Sequence, residues 1–99
     1  MSTQANIHIL GTDVVFGVDR EGYPDYIIEL LRDIAKKCNS KWELIGRLFA
    51  ELWDSESLVL YPLEFAYEYY IDFENNTIEY EEEGKKIVKK LILENDMAH

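Results

Sequence analysis

Cysteine is nearly missing: Cys38 stands alone, which rules out an intramolecular disulfide and a cysteine-built zinc site. Apolar runs are short, as at Leu58 to Tyr61, so no segment is long enough to span a bilayer as a helix. The start MSTQANIHIL has no basic residue ahead of its apolar run, so it is not expected to act as a secretory leader. An intracellular chain is the expectation. Positive charge is scarce, with 10 Lys and Arg against 20 Asp and Glu, for a net charge of -10. Phosphate backbones and anionic membranes should repel such a chain, so neither direct nucleic-acid binding nor membrane binding is expected. A basic protein partner is permitted by this balance and not required by it. Phosphate loop, dinucleotide fingerprint, G-x-S-x-G and H-E-x-x-H are all missing, which lowers the standing of the familiar enzyme classes. No cofactor is expected.

The residues that are present fit one domain, residues 1–99, with a single small core. Apolar residues make up 47% and are interleaved with charge, the composition of a globular chain. Glu, Ile, Tyr and Lys are abundant while Gln4 is the sole glutamine, a pattern resembling heat-adapted proteins and suggesting hyperthermostability.

Two β-branched runs, 6–10 and 14–19, flank Gly11, Thr12 and Asp13 and read as a β-hairpin. Pro24 suits the first position of a helix, and Ile27, Leu30, Leu31, Ile34, Ala35 and Cys38 continue it at helical spacing. Ser40 with Glu43 forms a capping box for a second helix, whose expected apolar stripe is Ile45, Leu48, Phe49, Leu52 and Trp53. A link this short predicts an αα-hairpin. Pro62 limits the segment after Ser57 to a short edge strand, ahead of a longer run from Phe65 to Phe73. There Phe65, Tyr67, Tyr69, Ile71 and Phe73 share one face, expected to be core, and the opposite face carries Glu68, Tyr70, Asp72 and Glu74. Asn75 and Asn76 make a turn into a return strand, 77–82, with Ile78 and Tyr80 inward and Glu79 and Glu81 outward. Residues 85–95 carry apolar residues at helix-compatible spacing and predict a closing helix, although their β-branched residues also suit a strand. The expected fold is α+β: an antiparallel sheet of two β-hairpins covered on one face by the αα-hairpin, with a C-terminal helix.

The outward set Glu68, Tyr70, Asp72, Glu79 and Glu81 is the candidate partner-binding face. Three readings compete: a solvated surface, a face for a basic partner, and a divalent-metal site for a hydrolase, since hard cations prefer carboxylate oxygens. No ligand spacing here is diagnostic, and no metal is expected. Clustered carboxylates should raise one another's pKa. Tyr70, an aromatic ring on a polar face, fits an interface anchor or a ring lying on a neighbouring side chain. A nucleophilic Cys38–His8 pair is conceivable, but Cys38 falls on an apolar stripe, where an inert thiol is expected. The Gly22-Tyr23-Pro24 corner, with Asp19, Arg20 and Glu21 before it, reads as a structural turn that could also meet a partner.

DREGYPDYIIELL with the later FAYEYYIDFENNTIEY resembles small phage proteins of unassigned activity. It is also similar to a group of small proteins shared by archaeal filamentous viruses, the lipothrixviruses that include Acidianus filamentous virus, and by rudiviruses. The resemblance implies a virus-encoded protein in the cytoplasm of a hot-living archaeal host, with no catalytic residues to carry over. It also implies a host-interaction role, including inhibition of host defence. The expected function is a non-enzymatic interaction protein whose acidic face engages a basic host or viral protein; a metal-dependent hydrolase and a virion component are the alternatives.

Overall fold

The computed structural model describes residues 3–94. The elements run β1 (Ala5–Ile9), β2 (Val15–Val18), α1 (Pro24–Ala35), α2 (Lys41–Asp54), β3 (Leu58–Val59), β4 (Tyr67–Asp72), β5 (Thr77–Glu82) and β6 (Lys85–Lys90). The α+β class holds: among the described residues there are two helices and one six-stranded sheet ordered β3-β2-β1-β4-β5-β6. The sheet is mixed and not purely antiparallel: β1 and β4 pair in parallel, Ala5 opposite Tyr67 through Ile9 opposite Ile71. A parallel pair needs a long connection. Here that connection contains the whole αα-hairpin, so the two expected strand hairpins are fused along their inner strands.

Local chemistry explains the turns. Between β1 and β2, Thr12 donates its hydroxyl to Ile9 O at 2.7 Å and accepts from Val14 N–H at 3.0 Å, while Gly11 takes the left-handed φ of 83°. Gly22 is held against β1, with its N–H on Thr3 O at 2.9 Å; a Cβ there would fall 2.5 Å from Gln4 backbone. The buried Tyr69 hydroxyl closes this corner by donating to Gly22 O at 2.7 Å. The G-Y-P corner is therefore a structural seat for the start of α1.

Pro24 opens α1 as expected, and Ile27, Ile28, Leu31 and Ala35 are buried. Ser40 caps α2, accepting from Glu43 N–H at 3.1 Å. Its buried line is Leu44, Leu48 and Leu52. Phe49 and Trp53, expected in that line, are 42 and 63% exposed. The buried centre lies about one residue away from the expected stripe, because Leu44 rather than Ile45 begins it.

The C-terminal helix is replaced by β6, antiparallel to β5 from Thr77 opposite Lys90 to Glu82 opposite Lys85. Glu83 and Gly84 have φ of 53° and 76°. Two consecutive left-handed residues make the tight turn whose twist matches a hairpin, and Ile87 and Val88 then suit strand. Lysines along this outer strand discourage further strands from adding to it. Asn76, at φ 59°, ties the end of β6 by accepting from Ile92 N–H and donating to Ile92 O. Residue 95, the last of the expected helix, and His99 lie outside the described residues.

Core side chains from both layers meet between sheet and helices: Ile7, Ile9, Val18, Ile27, Leu31, Leu48, Tyr69, Ile71 and Ile78 are all essentially inaccessible. Tyr67 and Phe73 pack against this core at its margins. Phe65 does not. It precedes β4, has φ of 55° and is fully exposed, a correction to its expected core place.

Candidate functional site

Alternation along the strands leaves one sheet face uncovered by the helices. In β1, Ala5, Ile7 and Ile9 point to the core, while Asn6 and His8 take the other face. The parallel register then sets Asn6 beside Glu68 and His8 beside Tyr70. On the far side of β4, Tyr70 lies opposite Glu79 and Asp72 opposite Thr77. Glu68, Tyr70, Asp72, Glu79 and Glu81 thus share this open face, but in three different settings.

Glu68 and Tyr70 are held by β1. One Glu68 oxygen lies 2.6 Å from His8 Nε2, and the other accepts from Asn6 Nδ2 at 2.8 Å. Asn6 also donates to Leu63 O and accepts from Leu63 N–H, at 2.8 and 2.9 Å, so a strap after β3 is pinned across this face. The His8 ring stacks on Tyr70, centroids 4.5 Å apart and planes 16° from parallel. This contact explains a tyrosine on a polar face.

Asp72 is a turn residue. It accepts from Asn75 N–H at 3.1 Å and Asn75 Nδ2 at 2.8 Å, and these hydrogen bonds hold its carboxyl below the ordinary range. That shift is opposite in sign to the mutual repulsion expected of crowded acids. Glu79, in turn, lies 3.3 Å from Lys86 Nζ of β6, and Glu81 faces Lys86 across the ladder. The unexpected sixth strand therefore brings lysines beside the acids.

Negative charge concentrates instead at one end of the sheet. There the β4–β5 ladder stops at Tyr70 opposite Glu79, and the start of β4, the end of β5 and the turn at Glu83 and Gly84 border an open cleft of about 1310 Å³. Asp19, Glu64, Glu68, Glu79, Glu81, Glu82 and Glu83 line it, with no Lys or Arg among the described lining residues. Phe65, Tyr67, Tyr70 and Tyr80 supply its aromatic part. Tyr67 donates to Glu82 Oε2 at 3.4 Å; desolvation and then the neighbouring Glu82 push its phenol pKa up, so it remains a donor. Carboxylates beside ring faces attract ammonium and guanidinium groups through charge-assisted hydrogen bonds and cation–π contact.

Among the described residues no three His, Cys, Asp or Glu side chains converge as a metal ion requires. His8 has Glu68 to orient it, but Cys38 is far from acting as its nucleophile: it is buried in the helical layer and donates to Ile34 O at 3.3 Å. Burial, reinforced by Glu43, raises the thiol pKa. At the corner, Arg20 is engaged by Asp19 at 3.1 Å and Glu56 O at 3.2 Å, and only Asp19 reaches the cleft.

Asn6, His8, Glu64, Phe65, Glu82 and Glu83 are the site residues that sequence reasoning did not place on a partner-binding face, whereas Asp19 was among the corner residues that could meet a partner. Alternation in NIHI already turned Asn6 and His8 outward; their meeting with Glu68 and Tyr70 depends on the parallel pairing, which no local pattern encodes. Comparison with protein-family models, with curated proteins and with solved structures found no match.

Proposed function

We propose that this chain is a non-enzymatic interaction protein that takes a basic surface of another protein into its acidic cleft. Glu68, Tyr70, Glu79 and Glu81 form the sheet side of the contact, with Phe65 and Glu82 at its end. The supporting observation is the seven carboxylates gathered around one concave surface with aromatic walls and, among the described residues, without a lining lysine or arginine. Complementary charge of this kind accelerates encounter and selects partners. Asp72 acts as the cap of the turn and leaves the contact itself. The resemblance to the archaeal-virus proteins extends the proposal to a virus-encoded protein acting in the host cytoplasm on a host or viral target, with interference in host defence as its use.

The test replaces Glu68, Glu79, Glu81 and Glu82 with Gln together and compares salt-dependent capture of partners from host lysate. Roughly tenfold weaker capture is expected at low salt, with the difference shrinking as salt screens the charges. Equal capture by a folded variant, at all salt concentrations, overturns the proposal.

A further inference from the structure

Strand β6 ends the sheet, so one of its two main-chain edges has no partner strand among the described residues. Register decides which groups lie on that edge. The Glu83-Gly84 turn joins Glu82 to Lys85 as the first hydrogen-bonded pair, so Lys85, Ile87 and Lys89 aim N–H and C=O at β5, and Lys86, Val88 and Lys90 aim theirs outward. Two contacts agree with this. Leu91 N–H donates back to Asn76 O at 3.0 Å, while Lys90 O accepts from Arg32 Nε and Nη2 of α1 at 3.1 and 3.0 Å. Arg32 thus closes one end of the edge, and Lys86 and Val88 each keep a donor and an acceptor for a further strand.

Charge at this edge is unlike the rest of the chain. Four of the ten bases lie within Lys85–Lys90, and although 20 acids are present, Lys85, Lys89 and Lys90 form no ion pair among the described residues. Lys86 alone of the four reaches a carboxylate, Glu79 at 3.3 Å. Lysines guard an edge because a neutral strand would bury them, and a second copy of β6 would set lysine against lysine. An acidic strand removes both penalties. We propose that β6 takes up an extended acidic segment of another protein as a seventh strand of the sheet. Main-chain pairing supplies the affinity, and side-chain alternation chooses the sequence. Phosphate groups fit this edge poorly, because the outward C=O groups of Lys86 and Val88 are acceptors that a phosphate anion cannot satisfy.

The two sides of the edge select different residues. Lys86 and Val88, opposite Glu81 and Glu79, lie on the open face of the sheet, and Lys90 shares it. Carboxylates of the incoming strand belong on that side. On the helix side a groove of about 510 Å³ lies between α1 and β6, where Ile28 and Leu93 are apolar and Asp25, Glu29 and Asp33 share the lining with Arg32 and Lys89. Those three acids repel a carboxylate there. The preferred segment therefore alternates acidic with apolar residues, its acids toward Lys86 and Lys90 and its apolar side chains toward Ile28 and Leu93. The net charge of -10 opposes an acidic partner at long range, but charges more than about 8 Å away are screened at physiological salt.

The probe is a short capped peptide of alternating Glu and Val, titrated into the full chain and followed by amide chemical shift and hydrogen exchange. A Kd below about 1 mM is expected, with exchange slowed at the Lys86 and Val88 amides and unchanged at Ile87 and Lys89, whose N–H groups already bond to β5. Val88→Pro removes one outward N–H and no bond to β5, so it should fold and bind at least about fivefold more weakly. Lys86→Gln with Lys90→Gln, both exposed and harmless to folding, should weaken binding about fivefold at low salt and less at high salt. Lys37→Gln, at an unpaired lysine beyond α1, should change nothing. Absence of shifts at about 5 mM peptide, equal binding of an alternating Lys and Val peptide, or full binding by the double lysine variant overturns the proposal. Equal slowing at Lys86 and Val88 by inorganic phosphate, or a homodimer that covers β6, overturns it likewise.

Discussion

On the covered side of the sheet, Ile7, Ile9, Tyr69, Ile71 and Ile78 are sealed by helices; on the open side, Asn6, His8, Glu68 and Tyr70 are held by one another. The same strands supply both sets, one residue apart. Non-directional burial fixes the first set, and directional hydrogen bonds with a ring stack fix the second. An exposed face can thus keep a defined geometry when a buried polar residue anchors it. Asn6, 2% exposed, is that anchor.

Substitutions on each side should separate the two mechanisms. Ile71→Ala empties a fully buried site and should destabilise the chain by about 2–5 kcal/mol in chemical denaturation. Tyr69→Phe keeps the ring but leaves Gly22 O without its donor, with an expected loss of about 1–3 kcal/mol by the same measurement. Asn6→Ala should lose a similar amount, on the order of 1–3 kcal/mol, and should also free the Leu63 strap, read as faster amide exchange at Leu63. A negligible loss for Asn6→Ala would erase the contrast between the faces.

Smaller effects refine the contrast. Asp72 has a carboxyl pKa below its unfolded value, so its contribution is fully present above the unfolded pKa near about 3.9 and disappears as pH falls through the lower folded value. Melting temperature against pH should therefore be flatter on the acid side in Asp72→Asn than in wild type. Glu81→Gln, on an exposed part of the cleft, should move stability by less than about 0.5 kcal/mol while reducing capture of a basic partner. Loss of several kcal/mol there would make the cleft a structural element.

The elements that depend on local pattern were legible. Pro24, the Ser40 cap and the alternation from Tyr67 to Asp72 place α1, α2 and β4 because each signal lies within a few residues of what it controls. Residues 85–95 misled because Ile87, Val88 and Leu91 fit either period, and the deciding fact is a turn geometry at Glu83 and Gly84. Phe65 misled because alternation continues through it, whereas its backbone has already turned. Phe49 and Trp53 fit a helical stripe, and only the placement of α2 over β2 and β3 decides which edge of that stripe stays uncovered. Of the candidate site, the shared face of Glu68, Tyr70, Asp72, Glu79 and Glu81 is a result of alternation. Its connection to Asn6 and His8, and the lysines of β6 beside it, depend on strand pairings that span the chain or reverse the expected element.

The parallel β1–β4 pair has a kinetic consequence. It is the ladder that joins residues 5–59, which carry both helices, to the three-stranded meander of residues 67–90. The meander closes through turns of a few residues and can form in microseconds, whereas the central seam must close a loop of about 60 residues. The slow step is thus the docking of two half-built pieces. A chain cut in the strap between Val59 and Tyr67 would keep each ladder intact, so its two fragments should recombine into the native sheet on mixing.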